Sequence, residues 1–184
     1  SKKDAYGINV HTKNATLNFG SNSNIITDSQ NGNATGVYFY DDNNTLTMDG
    51  GLVNVISGAT GKAIGIDTYW TSGTTLNLGD DTRIELVSGT AGGSALYLGE
   101  NTLLNANGLN VDFTASEAGT GTIIYGIQTG QNSQINLGEN SAISLSSSGG
   151  TVYGLLSGAQ SHFTADSLDI TLSTTSNERA NGTG

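Results

Sequence analysis

Two clusters, each aromatic and acidic, hold the side chains best suited to chemistry. One is Tyr38, Phe39, Tyr40, Asp41 and Asp42; the other is Asp67, Thr68, Tyr69 and Trp70. Exposed tyrosine and tryptophan rings present a broad apolar face with a polar tip, which suits stacking on sugars or burial against a protein partner. Tyr38, Tyr40, Asp41, Tyr69 and Trp70 are therefore the candidate ligand-binding residues. In the alternative reading, Phe39 and one tyrosine fold over a corner of the chain as a small satellite core. His11, Tyr40 and Tyr69 are spaced 29 residues apart. If that interval is a structural repeat, Tyr40 and Tyr69 stack about 4.8 Å apart in one column, with His11 next in line.

The acidic turn residues Asp80, Asp81, Glu100 and Glu139 invite comparison with carbohydrate-cleaving sites. Glycoside hydrolysis uses two carboxylates at a set separation, one with a raised pKa. Asp80 and Glu139 fall two repeats apart, about 10 Å by strand spacing. The repeat between them supplies no partner, and Arg83 is the only nearby base. These carboxylates read as solvated turn residues, and no catalytic residue is assigned. His11 and His162 lack companions at a metal-ligand spacing. There is no cysteine, and no Ser-His-Asp group can be assembled on one surface. No metal and no other cofactor is expected.

Composition narrows the partners. Six Lys and Arg stand against 16 Asp and Glu, for a formal net charge of −10. No Lys or Arg lies between Glu85 and Glu178, so a polyanion finds no basic stripe and nucleic acid is excluded. No apolar run approaches the roughly 18 residues of a membrane-spanning helix, so this segment is not expected to insert into a membrane. Proline is absent and glycine numbers 27, which fits unbroken strand ladders joined by tight turns.

The elements that must position these residues recur. Ala5, Ala34, Ala63, Ala95, Ile124, Val152 and Ala180 mark units of 28 to 32 residues, the length of one solenoid turn. Each unit holds three stretches of period two, the pattern of strands with one buried face. The second stretch supplies Leu17, Leu46, Leu76, Leu104, Ile135 and Phe163, with Phe19, Met48, Leu78, Ala106, Leu137 and Ala165. The third supplies Ile25, Val53, Ile84, Val111, Ile143 and Ile170, followed by Thr27, Val55, Leu86, Phe113, Leu145 and Leu172. For the first stretch, alternation groups Ile8, Val37, Ile66, Leu98, Ile127 and Leu155 with Tyr6, Tyr125 and Tyr153 on the inner face. It puts the Ala and Gly residues, Gly65 and Gly126 among them, on the outer one.

The expected fold is an all-β, three-sided parallel β-helix of about six coils. It is expected to form one segment over residues 1–184, with coils starting near 5, 34, 63, 95, 124 and 152 and a partial coil from 180. Flat ends without caps read as an interior piece of a longer rod. An uncharged flank made of Gly65 and Gly126 beside the outward Asn77, Asn105 and Asn136 would suit packing against another copy.

Units such as Gly73-Thr74-Thr75-Leu76-Asn77-Leu78-Gly79-Asp80-Asp81 and Asn132-Ser133-Gln134-Ile135-Asn136-Leu137-Gly138-Glu139-Asn140 resemble the passenger region of bacterial autotransporters. That resemblance covers about residues 5 to 180. It implies a right-handed β-helix displayed on the bacterial surface through a C-terminal outer-membrane β-barrel outside this stretch. It further implies a non-catalytic role in adhesion to a host glycan or surface protein. The alternatives are self-association with a copy on a neighbouring cell, a plain structural spacer and, as the remaining class, a polysaccharide-degrading β-helix.

Overall fold

The computed structural model describes residues 3–175 and 180–181. The first coil is β1 (Ala5–Val10), β2 (Thr16–Phe19) and β3 (Asn24–Asp28). The second is β4 (Ala34–Phe39), β5 (Thr45–Met48) and β6 (Gly51–Ile56), and the third is β7 (Ala63–Asp67), β8 (Thr75–Leu78) and β9 (Thr82–Ser88). The fourth is β10 (Gly93–Leu98), β11 (Leu103–Ala106) and β12 (Asn110–Ala115), and the fifth is β13 (Ile123–Thr129), β14 (Gln134–Leu137) and β15 (Ser141–Ser147). The sixth is β16 (Thr151–Leu156), β17 (His162–Ala165) and β18 (Leu168–Thr174), after which β19 (Ala180–Asn181) pairs with β16.

First strands pair only with first strands, second with second and third with third, always in parallel. The result is a three-sheet parallel β-solenoid of about six coils. Each sheet buries one face on the other two, so a single chain covers its own apolar surface without a second layer. The apolar columns of sheets two and three are those read from the sequence. Leu17, Leu46, Leu76, Leu104, Ile135 and Phe163 are successive rungs. Ile25, Val53, Ile84, Val111, Ile143 and Ile170 are another set. Leu46, Leu76 and Leu104 are fully buried, and burial of a leucine side chain contributes about 1.5–3 kcal/mol.

Corners between sheets one and two follow from turn chemistry. Asn14, Asn43, Gly73, Asn101, Asn132 and Gln160 take positive φ there in consecutive coils. Asparagine and glycine tolerate that conformation best. Beneath the corner lie Asn44, Thr74, Thr102 and Ser133, all buried. Their side chains satisfy neighbouring turns: Asn44 Oδ1 accepts the Ala15 N–H at 2.7 Å, and Ser133 Oγ accepts the Thr102 N–H at 3.3 Å. Buried backbone groups need such partners, and these polar columns supply them.

Sheet one departs from the alternation. Ala34, Gly36, Val37 and Phe39 are all buried, while Tyr38 is half-exposed. The strand changes phase at its glycine: the residue before it faces out, and the glycine and the residue after it both face in. The inner face therefore carries Gly7, Gly36, Gly65, Ala95, Gly126 and Gly154. A Cβ at Gly65 would lie 2.6 Å from Ile84 Cγ2 and 2.4 Å from the Ala95 carbonyl oxygen. A Cβ at Gly126 would lie 2.7 Å from Ile143 Cγ2. Gly65 and Gly126 are thus interior residues, not an external flank. Tyr6, Tyr125 and Tyr153 are on the outside, not the inside.

The fourth coil also shifts. Gly93, not Ala95, pairs with Ala63 and Ile124, and Leu96, not Leu98, is the rung between Ile66 and Ile127. Ala95 therefore lies opposite Gly65, in the glycine column.

Candidate functional site

All seven tyrosines and the single tryptophan of the chain lie on the outside of sheet one or at its corner with sheet two. Two outward rows carry most of them. The first is Tyr6, Thr35, Ile64, Ser94, Tyr125 and Tyr153, and the second is Asn9, Tyr38, Asp67, Tyr97, Gln128 and Leu156. The rings touch along and between coils. Tyr6 and Tyr38 have centroids 5.5 Å apart, and Tyr125 stacks on Tyr153 at 5.3 Å. Tyr40 stacks on His11 at 5.0 Å, as the 29-residue spacing anticipates. Tyr69 stacks on Tyr97 at 4.1 Å with an interplanar angle of 9° and does not stack on Tyr40. Phe39 is fully buried in the main core rather than folded over the corner.

The reason lies in the third coil's corner. Sheet-one partners Tyr38, Asp67, Tyr97 and Gln128 precede sheet-two partners Thr45, Thr75, Leu103 and Gln134 by 7, 8, 6 and 6 residues. The third coil has the longest corner, one residue longer than the second coil's and two longer than the fourth's, and Tyr69 and Trp70 lie in it. Trp70 is 73% exposed, with its ring 5.1 Å from that of Tyr69 at 82°. The loop beneath is tied down. Asp67 Oδ1 accepts the Tyr69 N–H at 3.0 Å, an Asx turn. Thr71 donates N–H and Oγ–H to the Thr68 carbonyl at 2.9 and 2.7 Å. Thr68 Oγ1 accepts the Gly99 N–H at 3.0 Å. A largely exposed tryptophan on a fixed loop loses little entropy on engaging a ligand.

Trp70 and Tyr69 border a cleft of about 460 Å³ with Asp42, Glu100, Gln128 and Gln131, within the range of roughly 300–1,000 Å³ seen for small-molecule sites. Asp42 Oδ1 accepts the Ser72 N–H at 3.0 Å, and Lys13 Nζ sits 3.4 Å from Oδ2. The Ser72 N–H and then Lys13 hold the Asp42 carboxyl below its ordinary range, so it is charged at neutral pH. Gln131 donates to Glu100 Oε1 at 3.4 Å. Asp41 is half-buried, and its carbonyl accepts from Asn44 at 2.6 Å.

Asp67 lies under this surface, only 7% exposed. Burial is the largest influence and pushes its carboxyl up to about 6; the Tyr69 N–H bond and Lys62 act in the opposite direction. Folded Asp67 holds its proton to higher pH than the unfolded chain does. Its stabilising contribution is therefore complete below about pH 4 and lost as pH rises through about 6, a gap equivalent to roughly 3 kcal/mol. Asp67→Asn is expected to raise the denaturation midpoint at pH 8 and to flatten the profile between pH 4 and 7. Parallel profiles for parent and variant would contradict this.

On sheet two the outward asparagines form a ladder. Asn105 Nδ2 donates to Asn77 Oδ1 at 3.0 Å, Asn136 Nδ2 to Asn105 Oδ1 at 2.9 Å, and Thr164 Oγ1 to Asn136 Oδ1 at 3.0 Å. The ladder floors a shallow groove of about 620 Å³. It is larger than the corner cleft, but its amides are engaged with one another, whereas the Trp70 ring, touching Tyr69, is mostly exposed.

Other sequence candidates stay apart. Asp80 and Glu139 are exposed turn residues, with Asp80 taking a hydrogen bond from Asn107. Arg83 pairs with Glu85 at 2.8 Å, and His162 is exposed. Among the described residues, no group of three or more His, Asp or Glu gathers at a metal-binding distance, and no helix is long and apolar enough to cross a membrane. The sequence reading missed Tyr6, Tyr97, Tyr125 and Tyr153 as members of the aromatic surface. The usable signal was the glycine column, which marks the crowded side of the strand. Comparison with protein-family models, with curated proteins and with solved structures finds no match to this chain.

Proposed function

We propose that this solenoid is a non-catalytic binding module, an adhesive segment of a surface-displayed passenger, whose contact surface is the aromatic flank of sheet one centred on Tyr69 and Trp70. The observation that supports this reading is the gathering of every tyrosine and the single tryptophan on one exterior flank. Exposed aromatic surface is where partners bind. The solenoid fold is consistent with an autotransporter passenger but not specific to one. The partner in this reading is a glycan or a surface protein.

Self-association is the second reading, favoured by the uncharged ladder of Asn77, Asn105 and Asn136. Two such faces can meet through many weak polar contacts that add up along the rod. With Gly65 and Gly126 facing the core, the ladder alone would carry it.

The test is attachment of cells displaying the segment to immobilised glycans and surface proteins, with parent, Tyr69→Ala and Trp70→Ala forms. Loss of attachment by on the order of tenfold in either variant is expected for an exposed aromatic anchor. Attachment unchanged in both overturns the aromatic-flank reading. Clumping of displaying cells that ignores both variants would replace it with self-association.

A further inference from the structure

The chemistry of the corner cleft is more selective than an aromatic patch in general. Trp70 and Tyr69 meet at 82°, and Tyr97 covers one face of Tyr69 at 4.1 Å, so the ring surface left open is a right-angled corner rather than one flat platform. A compact rounded group fits such a recess better than a broad planar one. The charged side chains lining the cleft are Asp42 and Glu100, both acidic, and no basic side chain lines it. Lys13 approaches Asp42 from the first coil and does not line the cleft. The bound Ser72 N–H keeps Asp42 aimed and ionised. Gln128 and Gln131 complete the wall with neutral amides. A net charge of −10 adds a field that concentrates cations and repels anions.

We propose that this corner binds an organic ammonium ion, a trimethylammonium group against the Trp70 and Tyr69 rings with Asp42 and Glu100 as counter-charges. The ring faces attract a cation through their quadrupole, and a methylated ammonium suits them because it sheds water readily and has no need of hydrogen-bond acceptors. A carboxylate or phosphate ligand meets Glu100 and the Lys13-paired Asp42, with no basic side chain lining the cleft, and is disfavoured. This inference names the ligand class of the site proposed above and rests on that site being a binding surface.

The single tryptophan makes the test direct, since excitation at the red edge, where the seven tyrosines do not absorb, reads Trp70 alone. The purified chain is titrated with choline and with its uncharged isostere 3,3-dimethylbutan-1-ol. Choline is expected to change Trp70 emission saturably, with the isostere weaker on the order of tenfold. Glu100→Gln, a change on an exposed side chain, should weaken choline severalfold and leave the isostere unaltered. Trp70→Leu, followed by ligand-observed magnetic resonance, should abolish the choline signal. Equal binding of choline and isostere, or no saturable response to choline, overturns the ammonium assignment. If choline fails while Trp70→Ala still abolishes cell attachment, the ligand class is wrong and the adhesive reading stands. If choline binds while attachment ignores Trp70→Ala, the ammonium site stands and the adhesive reading falls.

Discussion

Leu76→Ala is expected to lower the unfolding free energy by about 2–5 kcal/mol, the range for deleting a fully buried leucine whose site cannot collapse. Leu76 is 0% exposed and stands between Leu46 and Leu104 in the same column. Its strand is clamped on both sides: the Thr75 N–H donates to the Asn44 carbonyl, and the Leu103 N–H to the Thr74 carbonyl, each at 2.9 Å. Neither neighbouring coil can close the gap without breaking that ladder. Because each coil contacts only the next, a weak third coil also interrupts cooperativity along the rod. Urea denaturation followed by circular dichroism should show a lower midpoint and a broadened transition. Ile26→Ala is the control, since Ile26 is 69% exposed on the outer face of sheet three and surface changes usually stay within about 0.5 kcal/mol. Equal shifts for the two variants would show the inward phase to be wrong.

Gly65→Gln is expected to be as damaging, for the opposite reason. Its Cβ would sit 2.4 Å from the Ala95 carbonyl oxygen and 2.6 Å from Ile84 Cγ2. A long side chain can swing aside, but a backbone carbonyl in a strand ladder cannot, so the third and fourth coils must separate. Overpacking in a well-filled core costs about 1–3 kcal/mol and more where the backbone is the obstacle. Gly20→Gln is the matched control: a Cβ there meets nothing within 4 Å and the backbone is not in the left-handed region. Thermal melts of the two variants decide the matter. An unchanged midpoint for Gly65→Gln would return this glycine to the outside, where it would matter only to a neighbouring molecule.

Most of the repeat was legible in the sequence. Leu17, Leu46, Leu76 and Leu104 recur at nearly constant spacing, and so do Ile25, Val53, Ile84 and Val111. In-register parallel strands bring like residues together, so a column in the sequence becomes a column in space. The asparagines at the sheet-one corner, Asn14, Asn43, Asn101 and Asn132, take positive φ in the structure, a turn signal that the sequence reading did not use.

The aromatic surface was legible only as a pair of clusters. Tyr38, Tyr40, Tyr69 and Trp70 stood out by composition. Tyr6, Tyr125 and Tyr153 were assigned to the interior because strict alternation places them with Ile8, Ile127 and Leu155. The structure breaks that alternation at the glycine of each first strand, and a phase change of one residue moves a side chain to the other face.

By itself the sequence determined the period, the three strands per coil, the inward columns of sheets two and three, and the turns. These depend on local alternation and on residue types that few conformations accept. Tertiary structure alone decided which side of sheet one faces solvent, that Gly93 and not Ala95 starts the fourth coil, and that Tyr69 stacks on Tyr97 rather than on Tyr40. It also decided that a corner longer than its neighbours lifts Trp70 over Asp42 and Glu100. Each of these depends on how neighbouring coils of unequal length are brought into register, and that comparison is made only when the coils stack.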